Sequence, residues 1–356
     1  MKDRARPLPG AAAPTAVFCA TAALLLMAAA AYGPAQDQGG EPASRKSQAE
    51  LKRFWESDHP SPDAKKVGTE TCTYCHDDVV EAWRTSKHAA HLARFEDETE
   101  FACEQCHGAG SEHAGDPSGG HIVRYPTRSR VTVVRVADVC IPCHTTTLDK
   151  PHWLSNAHAQ ADVSCVDCHD FHGAEQGPYL LEKPTVKVTT NTGFRYDPKR
   201  PTTNQAVNGV CLNCHEKQVG ELRQRSHHPV LEDRLNCADC HEIHRTTDAM
   251  LLPDTRELHD VCTECHTDKR GPFVYEHAPT REGGIGEACL TCHRPHGSPN
   301  PKLAVTFGRS VCTQCHTDIL VGSDDLNMHR GRSGNCWRSG CHADIHGSNA
   351  SPFYLR

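Results

Sequence analysis

The chain has little of what an ordinary enzyme core is made from. Apolar residues are 37% of its 356 positions with cysteine counted among them, aromatics are 6%, and there are 4 Met and 4 Trp. That argues against a large aliphatic core. Past one apolar stretch near the N-terminus there is no second long hydrophobic run, which argues against a bundle of membrane-spanning helices. No nucleic-acid-binding motif is present. What the chain has in excess is 21 Cys and 26 His. These are the wrong residues for a disordered polymer. Something other than Leu, Ile and Val has to fill the interior.

The N-terminus begins Met1-Lys2-Asp3-Arg4 and continues into an apolar run from about Ala16 to Ala31. A basic start, a short apolar centre and small residues up to Ala35 read as a secretory signal peptide over 1–35. Cys19 lies inside this run, and Phe18 before it does not suit a lipoprotein site. An even 20 cysteines then remain in the exported chain.

Those 20 fall into one pattern. Nine strict C-x-x-C-H motifs begin at Cys72, Cys103, Cys140, Cys165, Cys211, Cys237, Cys262, Cys289 and Cys312. Their second cysteines are Cys75, Cys106, Cys143, Cys168, Cys214, Cys240, Cys265, Cys292 and Cys315. A tenth, Cys336-Trp-Arg-Ser-Gly-Cys341-His342, has two extra residues in its loop. This is the signal for covalent c-type haem attachment. Positions i, i+3 and i+4 share one face of a helical turn, so two thiols can add to two vinyl groups while the histidine ligates iron. Disulfides would not require a His after every second Cys. Zinc ribbons would not either.

Ten irons take His76, His107, His144, His169, His215, His241, His266, His293, His316 and His342 as proximal ligands. Methionine can hardly supply the opposite face, because only Met250 and Met328 remain beyond the signal. The motifs come in five pairs. After each first member comes a His some 11 to 14 residues beyond its own ligand: His88, His158, His228, His277 and His329. After each second member another follows closely: His113, His172, His244, His296 and His346. These ten are the distal candidates. His91 competes with His88, and His227 with His228, but Ser86 and Ser226 each lie two residues before the preferred one. His59, His121, His152 and His259 are also spare. A His three residues after a proximal ligand cannot easily round its own haem, so it is expected to reach a neighbour. Bis-His ligation implies lower potentials than His/Met.

The first cysteines of the pairs repeat at 72, 140, 211, 262 and 312, so the unit of the chain is a haem pair. The expected organisation is a polar lead over 36–66, a haem region over 67–208 carrying haems 1–4, and a second over 209–356 carrying haems 5–10. A haem-free linker runs from about 176 to 208. The expected fold is a multihaem cytochrome c, mostly coil with short α-helices wrapped round a linear chain of ten haems, with little β. Helices are expected over Asp77–Leu92 and Glu216–Arg225, and a short strand over Val131–Val136. Haem propionates would add acidic groups to the net charge of −7. A run such as Lys199-Arg200 reads as a partner for them or as a solvated face. Histidine supply covers both faces of every iron. That favours an electron carrier over an oxidoreductase with one open haem site, and haem spacing alone leaves open a filament-forming cytochrome.

Three strings carry a further resemblance: Cys106-His-Gly-Ala-Gly-Ser-Glu-His113, Cys292-His-Arg-Pro-His-Gly-Ser298, and Gly340-Cys-His-Ala-Asp-Ile-His-Gly-Ser-Asn349. With ten motifs in this order, residues 66–356 resemble periplasmic decahaem c-type cytochromes of the MtrA/DmsE type. The resemblance implies a staggered haem chain inside an outer-membrane β-barrel porin. It also implies an extracellular multihaem cytochrome or exported reductase on one side. On the other side it implies a periplasmic or inner-membrane cytochrome donor.

Overall fold

The structure is a computed structural model describing residues 59–95, 100–118, 120–173, 178–185, 194–245, 257–280, 287–317, 336–337 and 341–355. All lie in the compact unit Lys52–Arg356; the unit Met1–Leu51 falls outside the described residues. Among the described residues the architecture is mostly coil and short helices, with four two-residue strands. Among the described residues no helix is long and apolar enough to cross a membrane.

The first repeat is the most helical. Helix α1 (Thr69–Arg84) starts after Gly68, whose φ of 86° leads the chain in. It breaks its regular geometry at His76 (φ −128°, ψ 42°), the residue that closes the first motif. Helix α2 (Lys87–Leu92) is capped by the buried Ser86, which accepts from Ala89 N. Helices α3 (Ala102–His107) and α4 (Ser111–Gly115) follow.

Residues 131–136, expected as a strand, lie instead in helix α5 (Arg130–Val139). The run is short and β-branched, and such runs do not distinguish strand from buried helix by themselves. What decides it is packing at i, i+3 and i+4. Val133, Val136 and Ala137 are nearly fully buried and share a cluster with Ile141, Trp153 and Ala159. Trp153 sits on α6 (Lys150–Ser155), which Asp149 caps, and Ala159 on α7 (Ala157–Gln160), which the buried Asn156 caps.

The third repeat opens on α8 (Thr203–Leu212), held by a reciprocal Thr202/Gln205 cap. Helix α9 (Glu216–Leu222) is three residues shorter than expected. Phe194, Leu212, Val219 and Leu222 form the second small core. Short helices α10 (Leu258–Thr263) and α11 (Ser310–Thr313) lead into the motifs at Cys262 and Cys312.

The strands join repeats. Strand β1 (Ser226–His227), beside His228, pairs antiparallel with β3 (Gly297–Ser298), beside His296. Strand β2 (Tyr275–Glu276), beside His277, pairs with β4 (Gly347–Ser348), beside His346. Each ladder thus ties the segment after a first motif to the segment after the second motif of the next repeat.

Candidate functional site: facing histidines and paired cysteines

The motifs fold alike. In Cys140–His144, Cys165–His169, Cys211–His215, Cys237–His241, Cys262–His266, Cys289–His293 and Cys312–His316 the histidine N–H donates to the first cysteine's carbonyl at 2.8–3.1 Å. Two motifs use their intervening Asp for a reciprocal cap, Ser164 with Asp167 and Asn236 with Asp239. The C-x4-C-H motif keeps the same closure: His342 N donates to Cys336 O at 3.3 Å.

The histidine rings come together in facing pairs. His76 lies 6.3 Å from His113, centre to centre, His88 6.2 Å from His144, and His107 5.9 Å from His172. His158 and His215 are 6.1 Å apart, His169 and His244 6.3 Å, and His228 and His266 6.2 Å. His241 and His296 are 6.0 Å apart, His277 and His316 6.2 Å, and His293 and His346 6.1 Å. Each of these nine pairs joins one motif histidine to one distal candidate, and no residue is used twice. Of the remaining two, His342 is described and His329 lies outside the described residues. A metal–imidazole bond is roughly 2 Å and a ring centre lies about 1.1 Å behind its nitrogen, so two rings sharing one iron stand about 6 Å apart. The spacing fits bis-imidazole ligation. It does not fit an all-protein metal cage, and none is formed among the described residues.

The pairing follows a rule that spacing alone did not reveal. A histidine after a first motif meets the first motif of the next repeat: His88 to His144, His158 to His215, His228 to His266, His277 to His316. A histidine after a second motif meets the second motif of the previous repeat: His172 to His107, His244 to His169, His296 to His241, His346 to His293. His113, with no previous repeat, turns to His76 in its own.

Hydrogen bonds set which ring nitrogen is free. Backbone carbonyls accept from Nδ1 of His107 (Val123, 2.7 Å), His113 (Gly120, 2.9 Å), His169 (Tyr179, 2.9 Å), His293 (Lys302, 2.8 Å) and His342 (Phe353, 2.7 Å). Such bonds fix the tautomer and leave Nε2 for a metal. Burial pushes His88, His107, His158, His169, His215, His244, His277 and His293 below the ordinary histidine range, and His346 down to about 4. These rings are therefore neutral near pH 7, the form that binds metal.

Three of those carbonyls belong to a clip that the sequence reading missed. Pro178-Tyr-Leu180, Pro301-Lys-Leu303 and Pro352-Phe-Tyr354 each return to the motif histidine 9 to 11 residues behind. Tyr179, Leu180, Lys302, Leu303 and Tyr354 sit at positive φ to do so. The recurring proline at that distance was the available signal.

The cysteines are also paired. In every repeat the first cysteines of the two motifs lie near enough to perturb each other electrostatically: Cys72 with Cys103, Cys140 with Cys165, Cys211 with Cys237, Cys262 with Cys289, and Cys312 with Cys336. The second cysteines neighbour those of the next repeat: Cys106 with Cys143, Cys168 with Cys214, Cys240 with Cys265, and Cys292 with Cys315. The sulfurs thus run in one continuous order along the chain. None of the 20 is in a disulfide.

The spare histidines are engaged elsewhere. His59 lies near Arg135, His91 packs on Phe95, His121 faces Glu112, His152 faces Asp149, His227 bonds Gln224 O and Glu232, and His259 faces Asp260.

Comparison with known proteins agrees with this site. The family "Cytochrome c-type protein NrfB-like" matches residues 103–192 and again 182–265, and "Doubled CXXCH motif" matches 277–320. The chain is 29% identical over 299 residues to Multiheme cytochrome MtrA of Shewanella baltica, covering 79% of each chain. It is 24% identical over 217 residues to C-type polyheme cytochrome OmcC of Geobacter sulfurreducens, covering 56% of this chain and 26% of that one. It is 28% identical over 129 residues to Cytochrome c-type protein NrfB of Haemophilus influenzae, covering 36% of this chain and 52% of that one.

Proposed function

We propose that the chain, which is similar to Multiheme cytochrome MtrA, is a multihaem c-type cytochrome of that type, with covalently bound haem c, that holds ten bis-His haems in one row and carries electrons between periplasm and cell exterior. The observation that carries this reading is the set of nine facing histidine pairs. When bound, each haem iron takes up and releases one electron. Everything else is the protein's contribution. The motif cysteines from Cys72 to Cys341 would hold the haems covalently, and the paired imidazoles would ligate their irons. The alternating proximity of first and second cysteines supports a linear order from the motif at Cys72 to that at Cys336. By elimination His329, which lies outside the described residues, is left as the candidate ligand opposite His342.

A site with both axial positions filled has no place for a substrate on iron, which favours a conduit over an oxidoreductase with an open haem. The further features follow the MtrA likeness. Residues 1–35 act as a signal peptide, 36–66 as a polar lead, 67–208 and 209–356 as two haem regions, with the haem-free segment from about 176 between them. The protein is placed in the periplasm, associated with an outer-membrane β-barrel. Its partners are that porin, an extracellular multihaem cytochrome or exported reductase, and a periplasmic or inner-membrane cytochrome donor.

The test is direct. Pyridine haemochrome assay of the purified chain should return ten haems, and its ferric EPR spectrum should be low-spin throughout. Detergent extraction should bring a β-barrel with it. A substantial high-spin signal that binds cyanide quickly would overturn the conduit in favour of an open-site reductase.

A further inference from the structure

We propose that Glu221 lowers the potential of the haem held by Cys237, Cys240 and His241; this rests on the bis-His reading above. The distal partner of His241 is His296. Its Nδ1 donates to Glu221 Oε2 at 3.0 Å. The acceptor is a carboxylate, unlike those of five other facing histidines. His107, His113, His169, His228 and His293 donate to backbone carbonyls. At the opposite extreme, the buried Nδ1 of His88 has no acceptor.

The contact is built in from both sides. Glu221 lies in the last turn of α9, and His296 directly precedes β3. The β1–β3 ladder holds that loop against the helix end. The approach is so close that a Cβ on Gly297 would fall 1.9 Å from the Glu221 carbonyl oxygen. Only glycine lets the loop lie there.

The chemistry follows from charge. A carboxylate accepting from Nδ1–H makes the imidazole a stronger donor at Nε2. Reduction adds one electron to ferric iron and removes one positive charge. A stronger donor and a nearby anion both favour the ferric state. The proton stays on Nδ1, shared with Glu221, so the step moves an electron and no atom.

The test is spectroelectrochemical titration of the full haem-loaded chain carrying Glu221→Gln. Glutamine keeps the length and a carbonyl acceptor but removes the charge. One haem's worth of amplitude should move to higher potential. Its ferric-to-ferrous ratio at fixed potential should fall about tenfold, a shift of about 59 mV for a one-electron couple. Haem count and low-spin spectrum should not change. Glu221→Asp, which keeps the charge, should shift less; it also serves if the Gln variant does not mature. An unchanged curve in a Gln variant with every haem retained overturns the proposal. His296→Ala separates this failure from that of the underlying reading. If it creates a high-spin haem while Glu221→Gln changes nothing, only the role of Glu221 falls. If it leaves every haem low-spin, the pairing falls too.

Discussion

The rings of His293 and His346 face each other at 6.1 Å and lie within 13° of parallel, although one closes a motif of the fourth repeat and the other follows a motif of the fifth. Neighbouring repeats therefore supply opposite sides of the same site. This arrangement recurs for His107 with His172, where the interplanar angle is 20°.

Crossed pairing can be read by counting altered haems. His107→Ala with His172→Ala should strip both faces of one iron, so the double variant should show one altered haem. His169→Ala with His172→Ala should alter two. Cyanide titration of each purified variant, followed at the Soret band, gives the count. Two altered haems in the first variant would contradict the geometry.

Glu104 is one of the unnamed positions inside a motif, yet it is almost wholly buried. Its carboxylate accepts from Val67 N, Gly68 N and Gly110 N, the last at 2.7 Å. Glu104→Ala leaves three backbone donors without their acceptor, each worth about 1 kcal/mol or more. We expect a loss of roughly 3 kcal/mol in guanidinium unfolding of the holoprotein. Faster amide exchange should be confined at first to residues 67–68 and 110.

Two neighbouring glycines should behave oppositely. Gly297→Ala forces a Cβ onto the Glu221 carbonyl and should part β1 from β3, costing about 2 kcal/mol or more. Gly220, inside α9, has open space around the added atom. Gly220→Ala should stabilise by about 0.5–1 kcal/mol through helix propensity and a less disordered unfolded chain. Thermal melts of the two variants on either side of wild type are the check.

The segment around Ser61 should be the first part to loosen in acid. Hydrogen bonds from the Ser61 hydroxyl and backbone N–H hold the Glu112 carboxyl below the ordinary carboxylate range. A lowered folded pKa means that the contribution is complete above the unfolded value and fades as pH falls through the folded one. Amide exchange at Ser61 should thus rise below about pH 4, the ordinary carboxylate value. Glu112→Gln should show the raised rate at neutral pH as well.

Much of this site is legible in the sequence because covalent attachment demands a rigid local pattern. The motif Cys165-Val-Asp-Cys-His169 announces itself wherever it folds. The distal candidates are legible by their position, but their partners are not. Whether His172 meets His107 or another ring depends on how two repeats dock, and spacing within one repeat does not encode that. Val131–Val136 was misread because a β-branched run carries no period long enough to separate strand from helix; its burial against Trp153 decides. Glu104 is not legible because the motif leaves the two residues between its cysteines unspecified. Glu221 escaped because it acquires meaning only beside His296, a residue brought in by strand pairing.

Crossed ligation also bears on how such a protein is made and how its length can change. On the proposed ligation only the first and last sites draw both axial ligands from one repeat, so a nascent chain exported from its N-terminus would carry half-coordinated irons until the following repeat arrives. Excising an internal repeat would leave a free ligand and an incomplete site on each flank, and the row would shorten by two only if those flanks pair with each other. The row can be lengthened or trimmed cleanly only where whole repeats exchange partners in register, as when one zipper tooth is replaced by another of the same pitch.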